Sequence, residues 1–300
     1  MNHAAADGRP PLITVAMPVF NAGRHLRAAV MSVLDQTERD WELLLIDDGS
    51  TDGAVAGLED IGDPRIRRVS DGMNLGLAIR LNQAIDLARG KFFARMDQDD
   101  IAHPDRFSRQ VAALRNDAEL DLVGARCVTI SERSEIIGRL PAALSHEEIC
   151  ARPWLGFYVP HPTWMGRIEW FRRYRYACPA PKFCEDQELL LRSHGESRFA
   201  VVPDYLLAYR VRDRLNLRKS LATRWALGVA QVRFLVKSGE LTQAALATAA
   251  MAARMGRDIL NALRQATVGD SPIVPATATL PPAVHDEWSR ILQAVPTRDD

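Results

Sequence analysis

The sequence predicts an α/β fold in which helices flank a mostly parallel central sheet. Over the first hundred residues, short apolar runs alternate with segments whose apolar side chains recur every three or four positions. This alternation of strand and helix is typical of a parallel sheet. Polar clusters follow three of the apolar runs, at residues 20–21, 47–50 and 97–100. Since ligands bind beyond the carboxyl ends of parallel strands, these clusters predict a site at one edge of the sheet.

The elements of this first half follow from the periodicity in chain order. Most of the predicted strands are short apolar runs bounded by polar or turn-forming residues, and the predicted helices at 26–34 and 76–89 each carry an apolar stripe. The strands are expected at 12–20, 41–46, 65–70 and 91–96, and the helices at 26–34, 53–60 and 76–89. Gly90 follows the last of these helices and is expected to end it.

The second half is less regular. Residues 152–184 are dense in aromatic residues, proline and arginine, and are expected to form loops and short strands around a site. Pro203 is expected to split the strand at 199–211. The other elements expected here are helices at 103–116, 185–194 and 220–265, a strand at 121–130, and a Pro/Thr-rich linker near 269–283.

The composition is that of an ordinary globular protein. The 300 residues include 38 Lys and Arg against 38 Asp and Glu, and this balance argues against a nucleic-acid partner. The four cysteines form no CxxC pair, which favours reduced thiols and a cytoplasmic protein. The sequence contains neither the apolar core of a signal peptide nor an uninterrupted apolar run of about 18 residues, so no transmembrane segment is expected.

The segment ARMDQDDIAHPDR, at residues 94–106, places three carboxylates within four positions. Like charges this close raise each other's pKa unless a positive group lies between them. Asp97 and Asp99 can face one Mg²⁺ or Mn²⁺ ion that also carries a diphosphate. The alternative is a solvated turn that caps the next helix, where Asp is common. We expect Asp100 and Asp105 to brace that turn.

Four further motifs each allow a structural and a functional interpretation. DDGSTD, at 47–52, is either a turn with a helix cap or a recognition site for a base or ribose. NLG, at 74–76, is either a cap or a phosphate-binding helix start with Arg80 one turn later. The acids of EDQELLLR, at 185–192, are either favoured by the helix dipole or supply a general base. HPT, at 161–163, is either a core turn or part of a site.

Taken in order, these motifs resemble the inverting, non-processive glycosyltransferases of family 2, which have the GT-A fold. The matching segments, from about residue 12 to Arg212, are MPVFNAGRHLRAAVMSVLDQT, LLLIDDGSTDG, NLGLAIRLNQAI, ARMDQDDIAHPDR, HPTWMGR, EDQELLLR and YRVR. The QxxRW motif of processive synthases is missing, because Arg224-Trp225 lacks its glutamine. The resemblance implies a nucleotide-sugar donor, a UDP-sugar, with Mn²⁺ or Mg²⁺ as cofactor. It also implies a saccharide or lipid-linked saccharide acceptor, in cell-surface polysaccharide or glycoconjugate synthesis.

The resemblance assigns a role to each matched residue on the donor side. Pro18 and Phe20 would line the nucleotide pocket, and Asp47 or Asp48 would contact the base. Asn74, Gly76 and Arg80 would contact the ribose and diphosphate. Asp97 and Asp99 would bind the metal, and Asp99 is the surer ligand.

On the acceptor side, the resemblance implies that Asp186 is the general base, with Glu185 as the neighbouring acid. His161 and Thr163 would border the acceptor, and Arg210 and Arg212 would lie on a segment that closes over the donor. The base would take the proton from the acceptor hydroxyl as that oxygen attacks the anomeric carbon.

The same reasoning gives an expected domain organisation. The helical extension carries an apolar stripe that is expected to pack on the catalytic domain. A homodimer contact, or peripheral docking at the inner face of the membrane, is left open for it. The parts are a flexible leader at 1–11, a GT-A catalytic domain at 12–218 with a nucleotide-binding half at 12–100 and an acceptor half at 101–218, and the extension at 219–300.

Two alternatives are a nucleotidyltransferase and a non-catalytic nucleotide-sugar-binding protein with the same fold. The first normally shows a Gly-rich loop with a basic residue after its first strand, and PVFNAGRHL matches this poorly. The second would be expected to have lost the DxD or ED acids, and both are present. A dehydrogenase is disfavoured, because no GxGxxG follows a predicted strand.

Overall fold

A computed structural model describes residues 9–181, 183–211, 216–268 and 279–295 of the chain. The strands are β1 (Ile13–Val19), β2 (Trp41–Asp47), β3 (Ile66–Ser70), β4 (Phe92–Arg95), β5 (Ile101–Ala102), β6 (Leu122–Ile130), β7 (Ile136–Arg139), β8 (Met165–Arg167) and β9 (Phe199–Arg210). The helices are α1 (His25–Leu34), α2 (Leu77–Leu87), α3 (Arg106–Asn116), α4 (His146–Cys150), α5 (Ile168–Tyr174), α6 (Glu185–Ser193), α7 (Leu217–Lys237), α8 (Leu241–Val268) and α9 (Pro282–Ala294).

The strands form one sheet in the order β3-β2-β1-β4-β8-β6-β9-β5, with β7 paired to β6. The strands β3, β2, β1 and β4 are parallel, as the alternation of strand and helix predicts. Beyond β4 the sheet is mixed, because β8 runs antiparallel to both β4 and β6. β9 is parallel to β6, and β5 is antiparallel to β9. The α/β class is therefore confirmed, with four neighbouring parallel strands in the first half and one further parallel pair, β6 and β9, in the second.

Helices cover both faces of the sheet. The helices α1 and α3 pack Val30 and Phe107 on one face, and α2 and α5 pack Leu81 and Phe171 on the other. Because β1 and β2 are buried on both sides, their sequences are almost continuously apolar. The polar residues at the carboxyl ends of these strands are where the chain leaves the core.

Three local predictions differ from the structure. The segment 53–60 contains only one 3₁₀ turn, Ala56–Leu58. Pro203 does not split β9; the strand continues, and its register against β6 shifts around Arg126 instead. A proline cannot donate to the ladder, so the pairing is interrupted there without ending the strand. The structure also adds the short strands β5 and β7, which the apolar pattern did not predict, while β8 lies in the segment 152–184 where short strands were expected.

Gly90 does not end α2, which stops at Leu87. A Cβ atom at position 90 would lie 2.7 Å from the Ile13 carbonyl carbon and closer still to the Thr14 nitrogen. The Gly90 N–H donates to the Thr14 hydroxyl at 2.8 Å. The glycine is therefore required by the close approach to β1, not by a left-handed helix cap.

The C-terminal helices pack on the α/β domain in two places. The α7 side chain of Gln231 donates to the Pro153 carbonyl oxygen at 2.7 Å, and Arg254 of α8 donates to the Leu155 carbonyl oxygen at 2.6 Å. Helix α9 begins at Pro282, inside the expected linker, and buries Trp288 against the sheet. Residues 1–8 of the expected leader and 269–278 of the linker lie outside the described residues, and the division at residue 218 stays a prediction.

Among the described helices, none combines the length and apolarity that crossing a bilayer would require. The four cysteines are free thiols, as their spacing in the sequence predicts.

Replacing Trp288 with alanine is expected to lower the free energy of unfolding by about 3–5 kcal/mol, measured by urea unfolding. The ring is 0% exposed, and its N–H donates to the Tyr205 carbonyl oxygen at 3.1 Å. Trp225 is the matched control, because it lies in the same extension and is 58% exposed. Its replacement with alanine is expected to change stability by about 0.5 kcal/mol or less. Equal losses in both variants would contradict the docking of α9 on the sheet.

Candidate active site

A cleft with a volume of about 1090 Å³ lies at the carboxyl ends of the parallel strands. Its wall combines residues that follow β1, β2 and β4 with the start of α2, the loops before α5 and α6, and the first turns of α7. The predicted site residues that line it are Pro18, Phe20, Asp48, Gly76, Asp97, Asp99, His161, Glu185 and Asp186. The structure therefore brings the donor-side and acceptor-side motifs together in one cavity.

Five predicted residues are not part of that wall, namely Asp47, Asn74, Arg80, Thr163 and Arg210. Thr163 is fully buried; its hydroxyl donates to the Pro160 carbonyl oxygen at 2.7 Å and accepts from the Ala125 N–H at 3.0 Å. Arg212 lies outside the described residues.

Asp48 organises the start of α2. Its carboxylate accepts hydrogen bonds from the Leu75 N–H at 2.7 Å, the Gly76 N–H at 3.0 Å and the Arg80 Nε at 2.8 Å. Gly76 has φ 90°, a left-handed backbone that favours glycine and that lets the chain turn into the helix here. Because Arg80 is 1% exposed and also pairs with Asp71 at 2.6 Å, it braces this loop from behind.

The side chains of Asp47 and Asp48 have different surroundings. Asp47 accepts from the Ser50 N–H at 2.9 Å and from the Ser70 hydroxyl at 3.2 Å, so it closes a turn on the side away from the cleft wall. Asp48 is buried but lines the cleft. Of the two residues that the sequence left open for the base contact, the geometry favours Asp48.

The ends of β1, β2 and β4 are held together by side-chain bonds to the backbone. Gln98, between the two aspartates of DxD, accepts from the Phe20 N–H at 2.7 Å and donates to its carbonyl oxygen at 3.1 Å. Asn21 donates its N–H to the Ser50 hydroxyl at 3.1 Å, and its side chain accepts from the Thr51 N–H at 2.9 Å. The three motifs are thus parts of one braced rim.

The acidic segment contains its own positive partner. Arg95, the last residue of β4, lies two residues before Asp97 and forms a two-point ion pair with that carboxylate, with Nη1 2.7 Å from Oδ2. The carboxylate of Asp100 is buried and accepts from the Arg210 N–H at 2.8 Å. The guanidinium of Arg210 donates to the Asp99 carbonyl oxygen at 2.9 Å. Asp100 therefore braces β9 against the turn, as expected.

The Asp99 carboxylate faces the cleft with no such partner. Across the described ranges, no other residue donates a hydrogen bond to it. Burial and the neighbouring Asp97 charge raise the pKa of Asp99 to about 6. A divalent cation would reverse that shift by stabilising the ionised form. Within the described residues, no cluster of three His, Cys, Asp or Glu side chains could hold a metal. Mg²⁺ commonly takes one or two carboxylates plus substrate phosphates, so the carboxylates present fit a metal that is held jointly by the protein and the substrate.

The second pair of acids lies at the start of α6. Burial, followed by the Asp186 charge, raises the pKa of Glu185 to about 7, and burial raises the pKa of Asp186 as well. Gln187 donates to the Asp186 carboxylate at 3.3 Å and to the Phe157 carbonyl oxygen at 3.1 Å. These are cleft-lining acids with raised pKa values, which is the property required of a general base near neutral pH.

His161 lies beside these acids. Its Nδ1 is 3.9 Å from the Glu185 carboxylate, and its Nε2 is 2.7 Å from the Tyr176 hydroxyl. Burial and the nearby Arg95 charge hold the pKa of His161 well below its usual range, so the ring is neutral. A neutral ring that shares a hydrogen bond with Tyr176 positions its neighbours without adding charge to the cleft.

Comparison with known proteins decides the family. The profile of glycosyl transferase family 2 matches residues 14–175, more than half of the chain. The chain belongs to glycosyltransferase family 2. It is 30% identical to an uncharacterized glycosyltransferase of Haemophilus influenzae over 214 residues, which cover 67% of this chain and 66% of that relative. The predicted enzyme class, a family 2 glycosyltransferase, is confirmed.

Solved structures confirm the GT-A fold of this glycosyltransferase. The mannosyltransferase PcManGT from Pyrobaculum calidifontis, in complex with GDP-Man and Mn²⁺, superposes with a TM-score of 0.61 at 15% identity, covering 95% of this chain and 84% of that one. The S. aureus TarS fragment 1–349, in complex with UDP, gives 0.57 at 17% identity, covering 75% and 70%.

Several residues of this family 2 glycosyltransferase were missed by the sequence interpretation. Arg95, Tyr209, Lys219 and Thr223 all line the cleft. Arg95 could have been found, because it precedes Asp97 by two positions, and side chains two positions apart in an extended segment point to the same side. Lys219 and Thr223 could not, because nothing local in α7 indicates that the C-terminal extension reaches the site.

The raised pKa of Glu185 predicts a pH dependence of stability in this glycosyltransferase. The folded state binds this proton more tightly than the unfolded chain, so the free energy of unfolding should fall as pH rises from 4.5 to about 7. Glu185→Gln is expected to flatten that part of the curve, measured by urea unfolding without divalent metal.

Glu188→Gln is the matched control for that measurement. Glu188 lies in the same helix and pairs with Arg192 at 2.9 Å outside the cleft wall. This variant is expected to keep the slope of the wild-type protein. The same slope in the wild-type protein and in Glu185→Gln would show that Glu185 does not carry the raised pKa.

Proposed function

We propose that this glycosyltransferase moves one sugar from a UDP-sugar to a hydroxyl of a saccharide or lipid-linked saccharide, with inversion at the anomeric carbon and with Mn²⁺ or Mg²⁺. The observation that carries the proposal is the single cleft that Asp48, Asp99 and Asp186 all line. Each stands at the end or start of a different element, and each has the chemistry that one part of the reaction needs.

The nucleotide binds, in this proposal, between the rim residues Pro18 and Phe20 and the loop braced by Asp48. The N–H groups of Leu75 and Gly76 are taken by the Asp48 carboxylate. The first turn of α2 lines the same cleft, and the start of a helix favours phosphate. PcManGT is in complex with GDP-Man and TarS with UDP, so both nucleotides occur on this fold. The assignment of UDP rests on the resemblance and is tested below.

The metal ligand is Asp99, with Asp97 the weaker candidate because Arg95 already neutralises it. A bound Mn²⁺ or Mg²⁺ would offset negative charge on the departing diphosphate. The buried Arg95 contributes a fixed positive charge to the same region. Because Asp97 keeps this partner, Asp99 is the carboxylate that gains most from a cation.

Asp186 acts as the general base in this proposal. Its carboxylate takes the proton from the acceptor hydroxyl while that oxygen forms a bond to the anomeric carbon. The bond from that carbon to the diphosphate oxygen breaks with its electron pair, and attack from the opposite side inverts the configuration. Glu185, 3.9 Å from the neutral His161, contacts the acceptor. Closure of the Arg210 and Arg212 segment over the donor stays a prediction.

The test is UDP release from a panel of UDP-sugars and GDP-mannose, with a saccharide acceptor panel, in Mn²⁺, in Mg²⁺ and in chelator. Release that needs both a UDP-sugar and a divalent metal is expected. Release from GDP-mannose alone would contradict the assignment of UDP, and equal rates in chelator would contradict the metal. Donor binding without transfer across the panel would instead support the non-catalytic alternative.

A further inference from the structure

The hairpin formed by α7 and α8 presents an exposed apolar surface. We call it the outer face, and its members recur every three, four or seven positions, so each set lies on one side of its helix. The members are Ala222, Trp225, Val229 and Val236 of α7 and Leu241, Ala245, Ala252 and Ile259 of α8. Trp225 is 58%, Leu241 66% and Ile259 42% exposed.

The sides of α7 and α8 that face each other and the loop at 153–155 are already engaged. Gly228 packs on Met251, whose Cγ would lie 2.8 Å from a Cβ added at position 228, so the two helices touch there. Leu227 is buried, and Gln231 and Arg254 hydrogen-bond to the loop at 153–155. The outer face lies outside these contacts, and Trp225, Leu241 and Ile259 remain exposed there. Large apolar surfaces exposed in this way mark interaction sites.

The charge of the hairpin identifies the kind of partner. Between residues 217 and 268 the sequence has eight Lys and Arg but two Asp and Glu, while the whole chain has 38 of each kind. One of the two acids, Asp258, is paired with Arg224 at 3.0 Å. The positive excess is thus local to the hairpin. Basic residues beside an apolar stripe that contains tryptophan are typical of helices that lie in a membrane interface.

We propose that the outer face of the α7–α8 hairpin docks on an anionic lipid bilayer. Apolar side chains would enter the interface, and Arg218, Arg233 and Lys237 would attract acidic headgroups. A second copy of the chain is disfavoured, because facing outer faces would bring two positively charged hairpins together. Since α7 also supplies Lys219 and Thr223 to the cleft, docking through α7 holds the cleft close to the bilayer. The proposal goes beyond the proposed function and does not depend on it.

Vesicle co-sedimentation of the full chain tests this docking. Binding to vesicles of phosphatidylglycerol and phosphatidylethanolamine is expected, with much weaker binding to phosphatidylcholine vesicles and a loss in high salt. Trp225→Ser with Ile259→Ser is expected to weaken the partition by about tenfold or more. Leu144→Ser is the matched control, because Leu144 is an exposed apolar residue outside the hairpin, and wild-type binding is expected of it.

A charge variant separates the two contributions. Arg233→Glu with Lys237→Glu is expected to weaken binding to the acidic vesicles while leaving binding to phosphatidylcholine unchanged. Circular dichroism and thermal unfolding show whether each variant is folded, and Asp186→Asn is expected to bind vesicles like the wild-type protein. Wild-type protein that does not bind the acidic vesicles overturns the proposal. So does a dimer in sedimentation equilibrium that Trp225→Ser dissociates, because a second copy would then cover the outer face.

Discussion

Asp186→Asn is expected to lower kcat for sugar transfer by about 10²–10⁴-fold while UDP binding stays nearly unchanged. The amide keeps the size of the side chain but cannot take the acceptor proton. The wild-type carboxylate lines the cleft and has its pKa raised by burial, so it is suited to accept a proton near neutral pH. Initial rates with saturating donor, together with calorimetric titration of UDP, measure the two effects separately.

Glu188→Gln is again the control, because it removes a carboxylate from the same helix outside the cleft wall. Its kcat is expected to equal that of the wild-type enzyme. Loss of UDP binding in Asp186→Asn would contradict the assignment, because a base that touches only the acceptor hydroxyl should not hold the nucleotide. A wild-type kcat in Asp186→Asn would transfer the role to Glu185, whose pKa is raised to about 7.

Asp99→Asn is expected to lower metal-dependent transfer by about 10²–10³-fold, the usual cost of removing one electrostatic stabiliser of a leaving group. Among the described residues, Asp99 is the acid of the DxD segment whose carboxylate has neither an ion pair nor a hydrogen bond from another residue. The amide should also reduce UDP affinity in Mn²⁺ to the level that the wild-type enzyme shows in chelator. Titration of UDP with and without Mn²⁺ measures this directly.

Asp105→Asn is the matched control for that variant. Asp105 lies in the same segment but accepts from the Thr37 hydroxyl at 3.0 Å, away from the cleft wall. Full stimulation by Mn²⁺ in Asp99→Asn would show that the metal binds elsewhere. Loss of stimulation in both variants would indicate a general disturbance of the turn, and the ligand assignment would then be wrong.

The parallel half of the fold could be predicted because its signals are local. Strands β1, β2 and β4 are short, largely apolar runs buried on both faces, and α1 and α2 carry stripes that repeat every turn. The second half depends on contacts between distant segments. The pairing of β6 with β9 joins residues about 80 positions apart, such as Leu122 and Phe199, and no local pattern specifies it. The effect of Pro203 was not predictable for this reason: β9 continues through it, and the register of its pairing with β6 shifts instead.

The sequence was enough to predict which motifs form the site. It was not enough to predict which residue of each motif has which role. DDG contains two adjacent acids with the same local sequence signal. Their roles separate only because Asp48 meets the N–H groups of residues 75 and 76 and the side chain of Arg80, while Asp47 meets Ser50 and Ser70. Arg80 was likewise expected near the diphosphate, because the local sequence does not show that it is buried between Asp48 and Asp71.

The most direct test of the central claim is a crystal structure of the enzyme soaked with UDP and Mn²⁺, with anomalous differences used to locate the metal. We expect one manganese ion in contact with the Asp99 carboxylate and the diphosphate. We expect the uracil ring between Pro18, Phe20 and the loop braced by Asp48, with Asp186 facing the open side of the cleft. UDP bound outside this cleft, or a metal that touches the diphosphate but not Asp99, would contradict it.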